Sequence, residues 1–420
     1  PAWSDSLHHT LLTQLTAEQG QLPYSLEPYE PVPLNMYHLG LYALSATVQW
    51  LVRVPSHTAL LWTSQLLNAF CGLGVYLVLD RKVGRSGAIT GAVVVGLLSH
   101  QPAFYVNWGR FTQISSQTII LIAWIVLWES IRTWKRFESR YKALIGFVGL
   151  AALLSAAVFL LHFRVAIFYL PLVLLSFGWE FRKTQCRRDR VRVLLSLLAI
   201  GGLTLLLVLP ALGGALSVYL SRRLTHTAVK SGGGGYYSFS LQSLPELVAR
   251  PWLLVLAGSA LGVGWILDRK MTWWCTFWIG SLLLIGFAYL LRISLLMVTN
   301  LGAVLIMLSL PIGLLIGTAM QTVMASISQS GRARAYRFIL GAILFSGVIG
   351  SHVCVQEVEP YRYFVTNADV EAMRWIESNT PSEAKFAVNT HFWLPRSPHG
   401  TDAGYWIPYF TGRKTTVGTM

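Results

Sequence analysis

The chain has 420 residues, 54% of them hydrophobic and only 12% charged, with 16 Trp and a mean hydropathy of +0.53. A soluble domain carries about 25% charged residues, so this chain cannot coat a globular surface of its size, and disorder, collagen, a coiled coil and a disulfide scaffold are excluded as well. A multi-pass protein of the cell membrane remains, an all-α polytopic architecture. The net charge of +15 does not make nucleic acid a partner, because the basic residues lie in short hairpins between apolar runs.

The sequence opens at Pro1 without Met or a signal-peptide pattern and stops on GRKTTVGTM without a closing element. It reads as a fragment, short of a first transmembrane helix and of the rest of a C-terminal domain. In AWSDSLHHTLLTQLTAEQG, Leu7, Leu11 and Leu15 recur at helical spacing, with Asp5, His8, His9 and Leu12 as a second stripe. Ser4 is placed to cap this helix and Gly20 to end it. An amphipathic helix along the membrane surface is expected, followed by an ordered Pro-rich loop, LPYSLEPYEPVPLNMYHLG.

Ten apolar runs then follow at 58–79, 87–99, 113–131, 143–161, 164–180, 193–212, 252–267, 271–291, 295–319 and 338–355. Each is a candidate to cross a hydrocarbon layer of about 30 Å. The loops at 80–86, 132–142, 181–192, 268–271 and 320–338 hold most of the 33 Lys and Arg, TWKRFESRYK and FRKTQCRRDRVR foremost. By the positive-inside rule these loops are cytoplasmic. The first 52 residues carry Asp5, Glu18, Glu27 and Glu30 but no Lys or Arg, and so belong outside. Parity is kept only if the less apolar stretch 37–54 does not span, and it is expected to be membrane-embedded or interfacial. The expected division is 1–57 as a first outer loop with interfacial helices, 58–355 as the transmembrane domain, and 356–420 as a small extracytoplasmic α/β domain.

Two further outer loops follow, SHQPAFYVNWGRFTQ at 99–113 and a long one at 213–251. In the latter, Gly232 to Gly235 beside Tyr236 and Tyr237 suggest a mobile flap; a phosphate-cradling reading lacks the strand and helix that would frame it. In the tail, DVEAMRWIESNTP predicts a helix with Val370, Met373, Trp375 and Ile376 as its apolar stripe. KFAVN reads as a strand, HFWLPRSPHGT as a loop, and DAGYWIPYFTGRKTTV as a helix or loop leading into a strand.

Asp5 is the acid best placed for chemistry, just inside an outer helix with His8 and His9 a turn on. It can act as a general base or hold a divalent metal; the plain alternative is an acid favoured by the helix dipole. His8 and His9 are metal ligands or polar headgroup contacts. Arg110, after Asn107-Trp108-Gly109, suits bidentate phosphate binding or snorkelling to the interface. The spans hold few ionisable residues and no inverted repeat, so ion-coupled transport has little support.

Two places carry a family resemblance. AMRWIESNTPSEAKF followed by DAGYWIPYFTGRKTTV resembles a W-I-x-x-N-T-P-x-x-A helix and a D-Y-G-Y-W-I … G-R-x-T segment, and SDSLHHTLL resembles a first outer loop bearing an essential acid. Both are features of the GT-C superfamily of integral-membrane glycosyltransferases, in particular the oligosaccharyltransferase catalytic subunit and its bacterial relatives. The resemblance implies a GT-C-like fold and transfer of a sugar from a polyprenyl-phosphate-linked donor to a glycan, lipid or protein acceptor at the extracytoplasmic face. It implies Asp5 as the catalytic carboxylate, with Arg110 near the donor phosphate; Asn107 is a further candidate substrate contact. His8, His9, Tyr236 and Tyr237 would be further substrate contacts, and Asp402, Gly404, Tyr405 and Trp406 would lie where oligosaccharyltransferases recognise the acceptor. The chain departs from the pattern in lacking the tandem tryptophans of WWDYG, and its second outer loop has no acidic pair to complete a metal site. The other readings are a non-catalytic GT-C-like polysaccharide-assembly or binding protein, and a lipid or glycan transporter.

Overall fold

The computed structural model describes residues 5–419 apart from 35–36, 135–140, 225–249, 268, 289, 292, 294–298, 300, 328 and 395–396. Ser4, the expected cap, and the glycine flap with Tyr236 and Tyr237 lie outside the described residues.

The bulk is a helical bundle. Its elements are α3 (Ser56–Lys82), α4 (Arg85–Val93, prolonged by one π turn to Leu98), α5 (Phe111–Trp134), α6 (Tyr141–Leu161), α7 (Phe163–Lys183), α8 (Arg187–Leu224), α9 (Pro251–Leu267), α10 (Arg269–Gly286), α11 (Leu301–Met307), α12 (Ser309–Ser326) and α13 (Gln329–Gln356). Among the described residues, seven helical segments are long and apolar enough to cross a membrane. α6, α9 and α10 stand where the other three spans are expected. Two boundaries differ from expectation: α8 runs on to Leu224, and the run at 295–319 is broken, with α11 ending at Met307 before α12. The outer faces are apolar, as lipid requires: Leu205, Leu206 and Leu209 on α8 and Phe345, Val348 and Ile349 on α13 are all exposed. The chain is a multi-pass membrane protein.

α5 is the hub, and polar side chains fasten it. Gln113 Nε2 and Gln117 Nε2 donate to Ala303 O (2.7 Å) and Ile306 O (3.1 Å) on α11. Ser116 Oγ donates to Val158 O on α6 and Thr118 Oγ1 to Leu67 O on α3, both at 2.7 Å. Lipid adds no hydrophobic drive between apolar helices, so such bonds and close packing carry the association. Close packing is clearest between α4 and α12. Gly87 and Gly91 on one face Gly313 and Gly317 on the other; a Cβ on Gly87 would run into Gly317 O, and one on Gly91 would stand 2.8 Å from Gly313 O.

At one face of the bundle lie α1 (Asp5–Gln19), α2 (Gly40–Val52) and the tail. Gly20, at φ +66, closes α1 as expected, its N–H bonding Thr16 O. α2 has 13 residues, about 20 Å of helix and too short to span.

α1 is not the surface helix its two stripes suggest. Leu7, Leu11, Leu12 and Leu15 form one core with Leu26, Leu34, Tyr42, Met373, Tyr405, Trp406 and Val417. The polar side of α1 is buried too: Ser6, His8, His9, Thr10, Thr13 and Thr16. Its threonines bond back to Ser6 O, His9 O and Leu12 O, so burial leaves no hydroxyl unmade. α2, α3, the Pro-rich loop and the tail together cover what membrane or water was expected to cover.

The tail comprises α14 (Asn367–Asn379), β1 (Lys385–Phe386), β2 (Thr390–Leu394), β3 (Ser397–Gly400), α15 (Ile407–Thr411) and β4 (Lys414–Thr415). Thr366 and Asp369 form a capping box at the start of α14. Of the expected stripe Met373 is buried, whereas Trp375 is exposed. β1 and β4 pair in parallel. The segment expected as a loop is instead an antiparallel hairpin, β2 with β3, aligning His391 with His399 and Phe392 with Pro398. In a two-stranded ribbon both strands are edges, so a proline that reads as a loop signal is tolerated. Arg413, the arginine of the G-R segment, donates to Glu377 O and Thr380 O, both at 2.9 Å. It thereby ties the two halves of the tail motif together at the end of α14.

At the opposite face, Lys82 Nζ lies 2.6 Å from Glu129 Oε1 and 3.9 Å above the Trp128 ring. Trp128 stacks on Trp274 at 4.3 Å and donates to Glu180 Oε1 at 2.9 Å. Lys82 lies in a loop expected to be cytoplasmic, and Trp128, Glu129, Glu180 and Trp274 lie at the span ends next to such loops.

Candidate active site

The site begins where the second loop meets the start of α1. Gly109, at φ +63, ends a 3-10 turn over Ala103–Trp108. A Cβ there would stand 2.9 Å from Asp5 Cβ and 3.4 Å from Ser6 N. Glycine is therefore required twice, for its left-handed backbone and for its close contact with Asp5. α5 starts at Phe111, whose ring meets the His9 ring edge-on at 5.7 Å.

From Asp5 a run of rings crosses this face. His8 and His9 lie 4.2 Å apart, centroid to centroid. His8 Nε2 shares a hydrogen bond with Tyr37 Oη (2.9 Å), and His9 Nδ1 shares one with Tyr42 Oη (2.6 Å). Tyr37 stacks on His38 at 4.6 Å, and His38 lies 4.4 Å from His162. His38 Nε2 bonds Thr112 Oγ1 at 2.9 Å, in the first turn of α5.

Burial sets the protonation of these groups. It pushes the His8 imidazole down to about 4, against the pull of Asp5, and His38 down to about 3, with Arg164 and His8 adding to the fall. His9 and His162 are held well below the ordinary range for the same reason, Arg110 contributing to both and Arg164 to His162. Tyr37 and Tyr42 are pushed up by burial. At neutral pH these imidazoles and phenols are uncharged.

The tail closes the site from above. His399 on β3 is 6% exposed, and its imidazole is lowered by burial and raised by Asp5. His391 on β2 lies 6.2 Å from it, ring to ring. Tyr405 is fully buried with an unpartnered Oη, and Asp5 adds to the burial that raises it. Behind it, Asp402 caps the 3-10 turn Ala403–Trp406: Oδ1 accepts from Gly404 N at 2.9 Å and Oδ2 from Asn389 Nδ2 at 2.8 Å. Trp406 is buried against Tyr409 and Phe410.

The structure thus brings Asp5, His8, His9, Arg110 and Tyr405 to one place. Asp402 and Trp406 form the wall behind them. Asn107 is engaged elsewhere: its Nδ2 donates to Glu357 O at 2.6 Å and its Oδ1 accepts from Glu359 N at 2.9 Å. Glu357 also binds His100 (2.7 Å) and Arg250 (2.5 Å), so this junction locks the second loop to the root of the tail. Sequence reading missed Tyr37, His38, His162, Arg164, His391 and His399. Their one common signal was position, each being a polar aromatic or cation beside a helix end or a Pro/Gly turn.

Among the described residues, no group of three His, Cys, Asp or Glu side chains is arranged to hold a metal ion. Thr112 and Gln113 follow Phe111 where no acid is offered, and Gln113 is bonded to α11.

No family model and no curated protein matches the chain. Solved structures do. The apo oligosaccharyltransferase of Archaeoglobus fulgidus is 14% identical with a TM-score of 0.58, over 99% of this chain and 61% of that one. The same enzyme tethered to an acceptor peptide containing the NVT sequon gives 12% and 0.54, over 99% and 60%. The arabinofuranosyltransferase AftD from Mycobacteria gives 16% and 0.51, over 99% of this chain and 32% of that one. The chain spans about three fifths of the archaeal enzyme's length and about a third of AftD's. Its fold is that of the archaeal oligosaccharyltransferase and of AftD.

Proposed function

We propose that this chain is a membrane glycosyltransferase moving a sugar from a polyprenyl-phosphate-linked donor to a glycan, lipid or protein acceptor at the extracytoplasmic face. The donor's long apolar tail and charged phosphate require its reacting carbon to sit at the membrane interface. Asp5 serves as the base. The acceptor heteroatom passes its proton to the Asp5 carboxylate as it bonds to the anomeric carbon. The bond from that carbon to the phosphate oxygen breaks with its electron pair left on the phosphate, inverting the centre. Arg110 meets the phosphate side, while His8, His9 and the wall of Asp402, Tyr405 and Trp406 frame the acceptor side.

One observation supports this reading: the backbone of Gly109, next in sequence to Arg110, packs against Asp5 beside the rings of His8 and His9. Asp5→Asn is expected to lower transfer by at least a hundredfold, measured with polyprenyl-phosphate sugars in detergent, while leaving yield and melting temperature unchanged. Full activity in that variant would end the assignment. The missing acidic partner for a metal favours a second reading, a non-catalytic GT-C-like binding protein. That reading gains if the wild-type chain consumes no donor across a broad panel of lipid-linked sugars.

A further inference from the structure

The turn that presents Gly109 to Asp5 is bonded to itself along its length. Phe104 N donates to His100 O at 3.0 Å, Tyr105 N to Pro102 O at 3.0 Å, Gly109 N to Val106 O at 3.2 Å and Arg110 N to Tyr105 O at 3.3 Å. On its side-chain face the His100 ring lies 4.4 Å from Phe104, and Phe104 lies 5.5 Å from Trp108. A segment tied in this way passes a displacement at one end to the other.

Both ends of that turn are fastened to one place, the residues just past α13. Glu357 Oε2 meets His100 Nδ1 at 2.7 Å, and its Oε1 accepts from Arg250 Nη2 at 2.5 Å. Arg250 is itself fixed to the bundle, because its carbonyl accepts from Leu253 N at 2.8 Å in the first turn of α9. Asn107 is fully buried and reads the same stretch as backbone: Nδ2 donates to Glu357 O at 2.6 Å, and Oδ1 accepts from Glu359 N at 2.9 Å. That pair of bonds needs a donor and an acceptor in one rigid plane, which a carboxamide supplies and a carboxylate or an aliphatic group does not. Two residues on, a Cβ at Gly109 would stand 2.9 Å from Asp5 Cβ, so the last contact in the series has no slack.

We propose that Asn107 and Glu357 are positioning residues for the reaction, holding the second outer loop at a fixed distance from the root of the tail so that Gly109 backs the Asp5 carboxylate in its working place. The proposal rests on the transferase reading and deepens it. Asn107 and Glu357 act through Gly109 and not through the substrate. The plain alternative is a staple that only stabilises the tail. The two differ in what a broken bond costs: a staple lowers stability, whereas a base displaced by about 1 Å loses on the order of a hundredfold in rate from misalignment alone.

The test uses the full chain in detergent, with turnover of a polyprenyl-phosphate sugar measured beside hydrogen exchange followed by mass spectrometry. Asn107→Leu is close in size and makes neither bond. It should lower kcat about tenfold or more per folded molecule, with KM within about threefold of wild type. Exchange should quicken at 100–110 and at 5–12, where α1 begins. Glu357→Ala should do the same through His100 and Arg250, and Glu357→Gln, which keeps an acceptor, should recover part of the loss. Because both side chains hold one turn, the double variant Asn107→Leu/Glu357→Ala should cost little more than the worse single one. Wild-type kcat per folded molecule with a lower melting temperature would overturn the proposal in favour of the staple. Faster exchange confined to 360–379, with 5–12 unchanged, would overturn it too, as would losses that simply multiply in the double variant. If Asn107→Leu does not accumulate, Glu357→Gln carries the same comparison of kcat and exchange. A wild-type chain that transfers no sugar would remove the transferase reading, while exchange at 5–12 would still report whether the loop holds the start of α1.

Discussion

The two faces of the bundle bury charge among aromatic rings in different ways. At the face of Lys82, the charges are matched: Lys82 with Glu129, Arg132 with Glu129 at 3.2 Å, and Glu180 with the Trp128 indole, though Trp274 Nε1 is left without a partner. At the face of Asp5, the rings are as closely packed, but His38 Nδ1, His162 Nδ1, His391 Nδ1 and Tyr405 Oη have no partner. Each buried polar atom left unmade costs about 1–3 kcal/mol. A face that spends its polar groups on itself is a clamp, and one that leaves several open is arranged for something that arrives later.

Acid should separate the two faces most strongly. The unfolded chain takes up protons on histidine near pH 6.5, but His8 and His38 in the fold do so only near 4 and 3. Between those values the unfolded state binds more protons, so stability is complete above pH 6.5 and falls as pH drops through that window. The shift at His8 alone is worth on the order of 3 kcal/mol. Limited proteolysis at pH 7 and pH 4.5 should therefore release α1 and the tail first, while the near-ultraviolet signal of the Trp128–Trp274 stack persists. Loss of both signals at one pH would contradict the contrast.

Lys82→Met breaks the other face. Glu129 keeps Arg132 and is about a third exposed, with 31% of its side chain accessible, so the cost should be about 2 kcal/mol rather than that of a fully buried pair. A lower unfolding temperature with unchanged transfer per folded molecule is expected. A drop in turnover with no change in stability would show that the clamp reaches the site.

This division explains what could be read in the sequence. The helices, the basic face and the short α2 follow from hydropathy and charge, which are local along the chain. Asp5 and Arg110 stand out as candidates because helix starts and loop cations are local signals too. The failures are contacts over long separations. α1 has the stripes of a surface helix, and its polar side is buried by groups distant along the chain, Tyr37, Tyr42 and Phe111, with His399 of the tail near by. The histidines of HFWLPRSPHG sit in a segment whose prolines read as loop, and only pairing of β2 with β3 turns them toward Asp5. His162 and Arg164 look like an ordinary helix end until His38 is set against them. Glycines 87, 91, 313 and 317 hold a four-residue spacing that was legible, but the match between the two pairs was not.

The smallest expected effect is the most discriminating. Tyr405 is fully buried, its Oη is unpartnered, and a Cβ on Gly400 would collide with its ring, so its packing is tight whether or not the hydroxyl is present. Deleting a buried hydroxyl that has no partner removes a desolvation cost and no bond, so Tyr405→Phe should leave stability unchanged or raise it by about 1 kcal/mol. If the hydroxyl instead awaits an acceptor group, the same variant should raise the acceptor KM severalfold with little change in kcat, because uniform binding is what has been lost. A stabilised variant with wild-type KM would make Tyr405 part of the wall alone. A destabilised one would mean that its hydroxyl is bonded in the folded protein, and the contrast between the two faces would lose one of its four open atoms.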